Sequence, residues 1–311
     1  MPEREQMIAD SEGKISFGLE GETAQTWYRV SGALRPDDPA APAPLIVLHG
    51  GPGAVHDYLL SLTDLARDDR AVVHYDQIGN GRSTHFPDRG ADFWTVELFV
   101  RELHNLVDAL GIGDRHHVLG QSWGGFLAQE YALTRPRGLR SLVLADTAAS
   151  FPDFVAAANR LRADLPLEVD ATLRRHEVAG TTDDPEYAEA CHVFYTRHVC
   201  RLEPWPPEVT EAFAWIERDP TVYHTMNGPS EFHVVGSIKD WQSKDRLASI
   251  EAPTLLVSGR YDEATPALQE TLHSGIPSCE WVLLENSSHM PHLEERERYM
   301  QVVGDWLARH D

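Results

Sequence analysis

Cysteine, basic residues and long apolar runs are scarce in this sequence, and each scarcity removes a class of protein. Cys191, Cys200 and Cys279 are the whole cysteine content of 311 residues. So odd and sparse a set argues against a disulfide framework and for a reducing compartment. No stretch approaches the ~18 consecutive apolar residues of a membrane span, and residues 1–6, Met-Pro-Glu-Arg-Glu-Gln, lack the apolar centre of a signal segment. A cytoplasmic protein without membrane contact is expected. Lys and Arg number 27 against 49 Asp and Glu, a formal charge of −22 at pH 7. Such a surface repels phosphate backbones, so nucleic acid is not an expected partner. Excess acid keeps a protein soluble, and some of these carboxylates are candidates to attract a cationic substrate.

Apolar residues are not scarce. At 42% hydrophobic, the chain can bury a large core as one domain or as one domain with an insertion. Short aromatic and β-branched runs at 15–17 and 26–30 predict an opening antiparallel pair. After a Pro-rich connector at 35–44, continuous apolar runs at 44–48, 71–75 and 141–145 read as strands buried on both faces of a parallel sheet. Helical spacing follows at 57–67. It recurs at 95–110, where Val96, Phe99, Val100, Leu103, Val107 and Leu110 recur at intervals of three and four and Gly111 supplies a stop. Strand and helix thus alternate up to about residue 148. From 149 to 240 the rhythm gives way to charged, aromatic helical segments interrupted by Pro185, Pro204, Pro206 and Pro207. It resumes with strands at 254–258 and 281–284 and a last helix at 296–309. The expected architecture is α/β, a mostly parallel sheet with helices on both faces, in a core of residues 1–148 and 241–311 with an inserted helical cap at 149–240.

The chemistry gathers around residues 118–125, Val-Leu-Gly-Gln-Ser-Trp-Gly-Gly. They read as strand, abrupt turn and helix, with Ser122 at the apex and glycines at 120 and 124 where the chain passes too close for a Cβ. G-x-S-x-G alone is weak, because glycine and serine are common. Ligands of open α/β sheets sit beyond the carboxyl ends of the strands, and there Asp262 follows one strand and His289 the next. The order Ser122, Asp262, His289 is that of the α/β-hydrolase arrangement. An alcohol needs a base to become a nucleophile at neutral pH, His289 has a suitable pKa, and Asp262 would hold its tautomer. The oxyanion would take backbone N–H groups from Trp123 and Gly51, each worth roughly 3 to 4 kcal/mol in the barrier. Asp76 also follows a strand and rivals Asp262, and Ser122 could be a structural turn serine. Cys191 with His192, and His198 with Cys200, have the look of a metal pair. Their spacing fits no standard zinc pattern, so they are read as packing residues and no metal is expected.

Five segments carry a family resemblance: His-Gly-Gly-Pro-Gly at 49–53, Asp-Gln-Ile-Gly-Asn-Gly-Arg-Ser at 76–83, Gly-Gln-Ser-Trp-Gly-Gly at 120–125, Tyr-His-Thr-Met-Asn-Gly-Pro-Ser-Glu-Phe at 223–232, and Gly-Arg-Tyr-Asp-Glu at 259–263. Over residues 15 to 309 the chain resembles the proline iminopeptidase family of serine α/β-hydrolases, near the tricorn-interacting aminopeptidase and the L-amino acid amidases, including L-proline amide hydrolases. The resemblance implies that two glutamates, here Glu231 and Glu263, hold the substrate's free α-amino group. An ammonium leaving water needs such charged partners, and an amine fixed beside the nucleophile leaves room for one residue before the scissile bond. Gln121 stands where proline-specific members carry Gly, which puts strict proline preference in doubt. Trp123, Trp205 and Phe232 are candidate walls of the side-chain pocket.

The expected activity is therefore a serine hydrolase that frees an N-terminal residue from short peptides, or hydrolyses L-amino acid amides, by way of an acyl-enzyme. No metal or organic cofactor is implied, and the expected partner is a small substrate with a free amino terminus. Two alternatives stay open: a carboxylesterase for small neutral esters, and a non-catalytic binding protein on the same fold. The sequence sets no oligomeric state.

Overall fold

The apolar runs become strands in the computed structural model, which describes residues 10–311 and leaves aside the side chains of 67–69. The expectation about residues 1–6 lies outside the described residues. Strands β1 (Asp10–Leu19) and β2 (Glu22–Ser31) pair antiparallel about a turn with Gly21 at φ 82°. Both outrun the runs that predict them. Phe17, Ala24 and Val30 bury one face, Trp27 is buried on the other, and Asp10 ties the polar end by accepting from Arg29 at 2.6 Å and Ser31 at 2.7 Å.

Strands β3 (Leu45–Leu48) and β4 (Val72–Asp76) are buried at every position, as the continuous apolar runs require. Between them, residues His56–Asp69 form a 3-10 helix rather than the expected α-helical spacing. Leu59, Leu62 and Leu65, all buried, repeat every three residues, and only a three-residue turn aligns such a row on one face. Helix α1 (Val96–Ala109) starts where the Thr95 hydroxyl accepts from the Leu98 N–H at 3.2 Å, and Gly111 follows it at φ 70°. Its buried stripe includes Leu98 and Leu106 beside Phe99, Leu103 and Val107, while Val96, Val100 and Leu110 are only partly buried at its margin.

Strand β5 (His116–Gln121), helix α2 (Trp123–Leu133) and strand β6 (Leu139–Ala145) follow. Five helices then replace the alternation: α3 (Phe151–Arg162), α4 (Leu167–Ala179), α5 (Pro185–His198), α6 (Pro207–Arg218) and α7 (Thr221–Met226). Pro185 and Pro207 open helices here instead of breaking them, since the first turn has no use for the missing N–H. Ala158, Leu173, Tyr187, Phe194 and Phe232 give this insertion a hydrophobic cluster of its own, and a bridge between Ser150 and Gln242 pairs its two ends.

The chain re-enters the sheet as β7 (Thr254–Gly259), α8 (Pro266–Gly275), β8 (Cys279–Leu284), α9 (Pro291–Glu294) and α10 (Arg296–Arg309). The eight strands lie in the order β1-β2-β4-β3-β5-β6-β7-β8, parallel from β4 onward. This order puts the ends of β5, β6 and β7 side by side, with the loops after β3 and β8 in reach. Among the described residues no helix is long and apolar enough to cross a membrane.

Candidate active site

The turn after β5 forces Ser122 into a conformation that side chains seldom adopt, φ 55° and ψ −122°. Holding a non-glycine residue there costs about 1–3 kcal/mol. Close packing enforces it. A Cβ at position 120 would lie 2.1 Å from the Gly124 carbonyl oxygen, and one at 124 would lie 2.1 Å from that of Leu48. The Ser122 N–H donates to Ala145 at 3.0 Å, and its carbonyl accepts from the Thr147 hydroxyl at 2.8 Å. Within residues 118–129, Ser122 alone is not fully buried.

Asp262 sits in the loop after β7, 1% exposed. Its Oδ1 accepts from His289 Nδ1 at 2.6 Å and from the Ala264 N–H at 2.9 Å. Burial alone would push the His289 pKa down. The charge and hydrogen bond of Asp262, helped by Glu231, outweigh it, so the imidazole titrates above its ordinary value. With Nδ1 bound to the carboxylate, Nε2 is the nitrogen left to move a proton. The rival Asp76 is spent elsewhere: it is fully buried and takes His56 Nδ1 at 2.7 Å and the N–H groups of His56 and Arg82. Glu294, unforeseen from the sequence, fixes the loop carrying His289 by accepting from the Ser288 N–H and, at 2.8 Å, from its hydroxyl.

A second unforeseen network surrounds the loop after β3. The Gly50 N–H donates to Tyr58 Oη at 2.7 Å, Tyr58 Oη donates to Gln121 Oε1 at 2.5 Å, and Gln121 Nε2 donates to the His289 carbonyl at 3.0 Å. The residue before Ser122 thus joins the glycine loop to the histidine loop. It commits the amide of Gly50, whereas the neighbouring Gly51 is partly exposed at φ 111°. A side chain at 51 would meet the Gly53 nitrogen at 2.5 Å, so this position requires glycine. Trp123 opens α2, and the first N–H groups of a helix have no carbonyl four residues back.

The two glutamates lie at the same place. Glu263 is 1% exposed, its Oε1 is 3.7 Å from His289 Nε2, and its Oε2 is buried with no hydrogen-bond partner. Glu231, half-buried, accepts from Tyr223 Oη at 2.5 Å. Burial lifts the pKa of Glu263 well above the carboxylate range, and the charges of Glu231 and Asp262 lift it further. Burial likewise raises Glu231. The phenols of Tyr195 and Tyr223 are pushed up by burial and by the same two carboxyl groups. Among the described residues the basic side chain set against these two acids is His289, and an ammonium group would add the cation that a second acid calls for. Tyr223 belongs to the stretch that carried the family resemblance, while Tyr58 gave no signal of its own in a run of helical spacing.

The aromatic residues divide differently from expectation. Trp123 is fully buried, edge-on to Phe99, with Nε1 donating to Gln77 at 2.9 Å, so its indole belongs to the core and not to a pocket wall. Trp205 packs on His192 and Phe213, and Phe232 on Phe194 with Arg162 over its ring. Burial pushes the thiols up, Cys191 to about 12 and Cys200 to about 11, and His198 Nδ1 bonds the Tyr261 carbonyl at 2.9 Å. Among the described residues one group has metal-ligand spacing, and it is not these but His176 with Asp184 and Glu186. There Arg175 already pairs Glu186 at 2.6 Å.

A family model for the alpha/beta hydrolase fold matches residues 43–296. The proline iminopeptidase of Heyndrickxia coagulans is 40% identical over 279 residues, which are 87% of this chain and 92% of that protein. The crystal structure of VinJ superposes with a TM-score of 0.92 at 49% identity, covering 97% of this chain and 99% of that one. The crystal structure of a proline iminopeptidase from Mycobacterium smegmatis does so with a TM-score of 0.87 at 47% identity, over 96% and 98%.

Proposed function

The chain belongs to the proline iminopeptidase family of α/β-hydrolases, and from that premise we propose that it frees one N-terminal residue from short peptides, or an L-amino acid from its amide, through an acyl-enzyme on Ser122. The observation that carries the reading is Glu263, a buried carboxyl with Oε1 3.7 Å from His289 Nε2 and Oε2 without a partner. A general esterase has no use for that costly group. A cationic head group beside the base gives it one, and it leaves room for a single residue before the scissile carbonyl.

In this mechanism His289 Nε2 takes the Ser122 hydroxyl proton as Oγ attacks the carbonyl. The N–H groups of Trp123 and Gly51 receive the oxyanion, while Asp262 stabilises the imidazolium. His289 then gives its proton to the leaving amine, and water repeats the sequence on the ester to release the amino acid. Glu231 and Glu263 hold the ammonium throughout, with residues 149–240 as the cap that supplies Glu231 and the remainder as the core. Gln121 is spent on Tyr58 and His289. Its presence where proline-specific relatives carry Gly favours a first residue not limited to proline. The three free cysteines support a cytoplasmic setting.

The test compares L-prolinamide and L-alaninamide with their N-acetyl derivatives. Free-amine substrates should be turned over at least 100-fold faster; equal rates would favour an esterase-like site and remove the amine clamp. A fluorophosphonate should label the protein but not Ser122→Ala, and no labelling at all would point to a binding protein.

A further inference from the structure

Asp146 follows β6 as Asp262 follows β7, and the two strands are neighbours. Asp146 is fully buried, it is held at φ 51°, and its N–H donates to Val257 at 3.0 Å. Oδ1 accepts from the Gly259 N–H at 3.2 Å. Its other oxygen, Oδ2, is buried with no donor, and so is Oδ2 of Asp262, whose Oδ1 is taken by His289 and Ala264. Two buried carboxyl oxygens without donors at adjacent strand ends are a double cost unless a proton lies between the groups.

We infer that Asp146 is a neutral acid that donates its O–H to Asp262 Oδ2, and so acts as a positioning residue that fixes the carboxylate orienting His289. This rests on Asp262 being the acid of the triad. The side chains of Asp146 and Asp262 are within hydrogen-bonding reach of each other, and burial, then the charge of Asp262, holds the Asp146 proton on far above the carboxylate range. The other groups that face Asp146 are Glu294 from α9, Tyr58 from the 3-10 helix and Tyr299 from α10. Of these, Glu294 disfavours a second negative charge at Asp146, and the two phenols, raised by burial, bring no cation to offset one. Asp262 Oδ1 already has two donors, an imidazole and an amide, against the single amide on Asp146, so the proton between the two groups is placed on Asp146. With both oxygens bound, the carboxylate plane is set and the imidazole has one orientation.

Asp146→Asn separates a neutral donor from a charge. Its amide oxygen can accept from Gly259 while its NH2 donates to Asp262. Asp146→Ala should lower kcat roughly 10- to 100-fold, the usual effect of unmaking a buried hydrogen bond to a charged group, with KM little changed. Asp146→Asn should restore most of the loss and leave the acidic limb of the pH–rate profile where the wild type has it. If Asp146 were ionised, removing its charge beside Asp262 and His289 would move that limb to lower pH, and this result, or full activity in Asp146→Ala, overturns the inference. Infrared difference spectra between wild type and Asp146→Asn should show loss of a protonated carboxyl band; loss of a carboxylate band overturns it even if Asp146→Ala does not fold. Asp262→Ala serves as the control: full activity there sinks the triad itself, whereas an inactive Asp262→Ala beside a fully active Asp146→Ala sinks this inference alone.

Discussion

Glu263 Oε1 lies 3.7 Å from His289 Nε2, on the opposite side of the imidazole from Asp262. The proposed anchor for substrate and the proposed base are therefore neighbours, and amine recognition cannot be separated in space from the chemical step. Glu263→Gln should lower kcat/KM for L-alaninamide roughly 10- to 100-fold, as expected for a hydrogen bond to a charged group. Hydrolysis of a simple acetate ester should be barely affected. Equal losses on both substrates would place Glu263 in the chemistry common to them instead of in amine binding.

The pH dependence follows from the raised pKa of His289. With His289 as the proposed base, activity needs the neutral imidazole, so it should fall as pH drops through a value above the ordinary ~6.5 of histidine. Glu231 is one cause of the rise, so Glu231→Gln should move the acidic limb of acetate ester hydrolysis to lower pH. A neutral ester is the right probe because it does not need Glu231 for binding. An unmoved limb would show that the charge of Glu231 does not reach the base.

Strain at Ser122 links stability to activity. Ser122→Gly relieves a φ of 55° and should raise stability by about 1 kcal/mol or more relative to Ser122→Ala, which keeps the Cβ. Both variants should be inactive. Thermal unfolding of the pair decides it, and identical melting temperatures would mean that the turn is not strained.

Tyr58→Phe removes the hydroxyl that joins the Gly50 amide to Gln121. The glycine loop then loses its register with Ser122. The expected result is a fall in kcat of about 10-fold for amides and esters alike, the size of one lost buried hydrogen bond, with KM little changed. An effect confined to KM would assign Tyr58 to substrate binding.

Glu102 gives a prediction for stability. Burial raises its pKa to about 8, although Thr26 and the Ile78 N–H bond its carboxylate. The unfolded chain ionises this group near the ordinary ~4.3 of glutamate, so over the interval between the two values the folded state carries the extra proton. Stability should therefore decline as pH rises from about 4.3 to about 8 and then level off. Glu102→Gln should flatten that decline in denaturant titrations at stepped pH; an unchanged slope would mean that Glu102 is ionised in the folded protein.

Much of the fold could be read along the chain because its signals are local. The apolar runs at 44–48 and 71–75 carry their own statement of two-faced burial, and they became β3 and β4. The 3-10 helix at His56–Asp69 was legible only in part. Its leucines at 59, 62 and 65 hold a three-residue period, but the surrounding apolar residues also satisfy helical spacing, and packing against the sheet chose between them. Pro185 and Pro207 show the same limit, because proline forbids a helix interior and favours a helix start, and the neighbouring chain decides which applies.

The sequence by itself determined the order of elements and the chemical types at the strand ends: a serine between glycines, an aspartate, a histidine, and two acids near them. The serine, aspartate and histidine follow from residue identity and short spacing, and the two acids from the resemblance to a family. Tertiary structure decided the pairings, giving His289 to Asp262 and His56 to Asp76, joining Gln121 to both Tyr58 and His289, and burying Glu263 and Asp146 where their charges cost most. The physical reason is that a hydrogen bond over 27 or 168 residues leaves no periodic trace in the chain, and a carboxyl group's protonation depends on the water and charges around it, which only the folded surroundings supply.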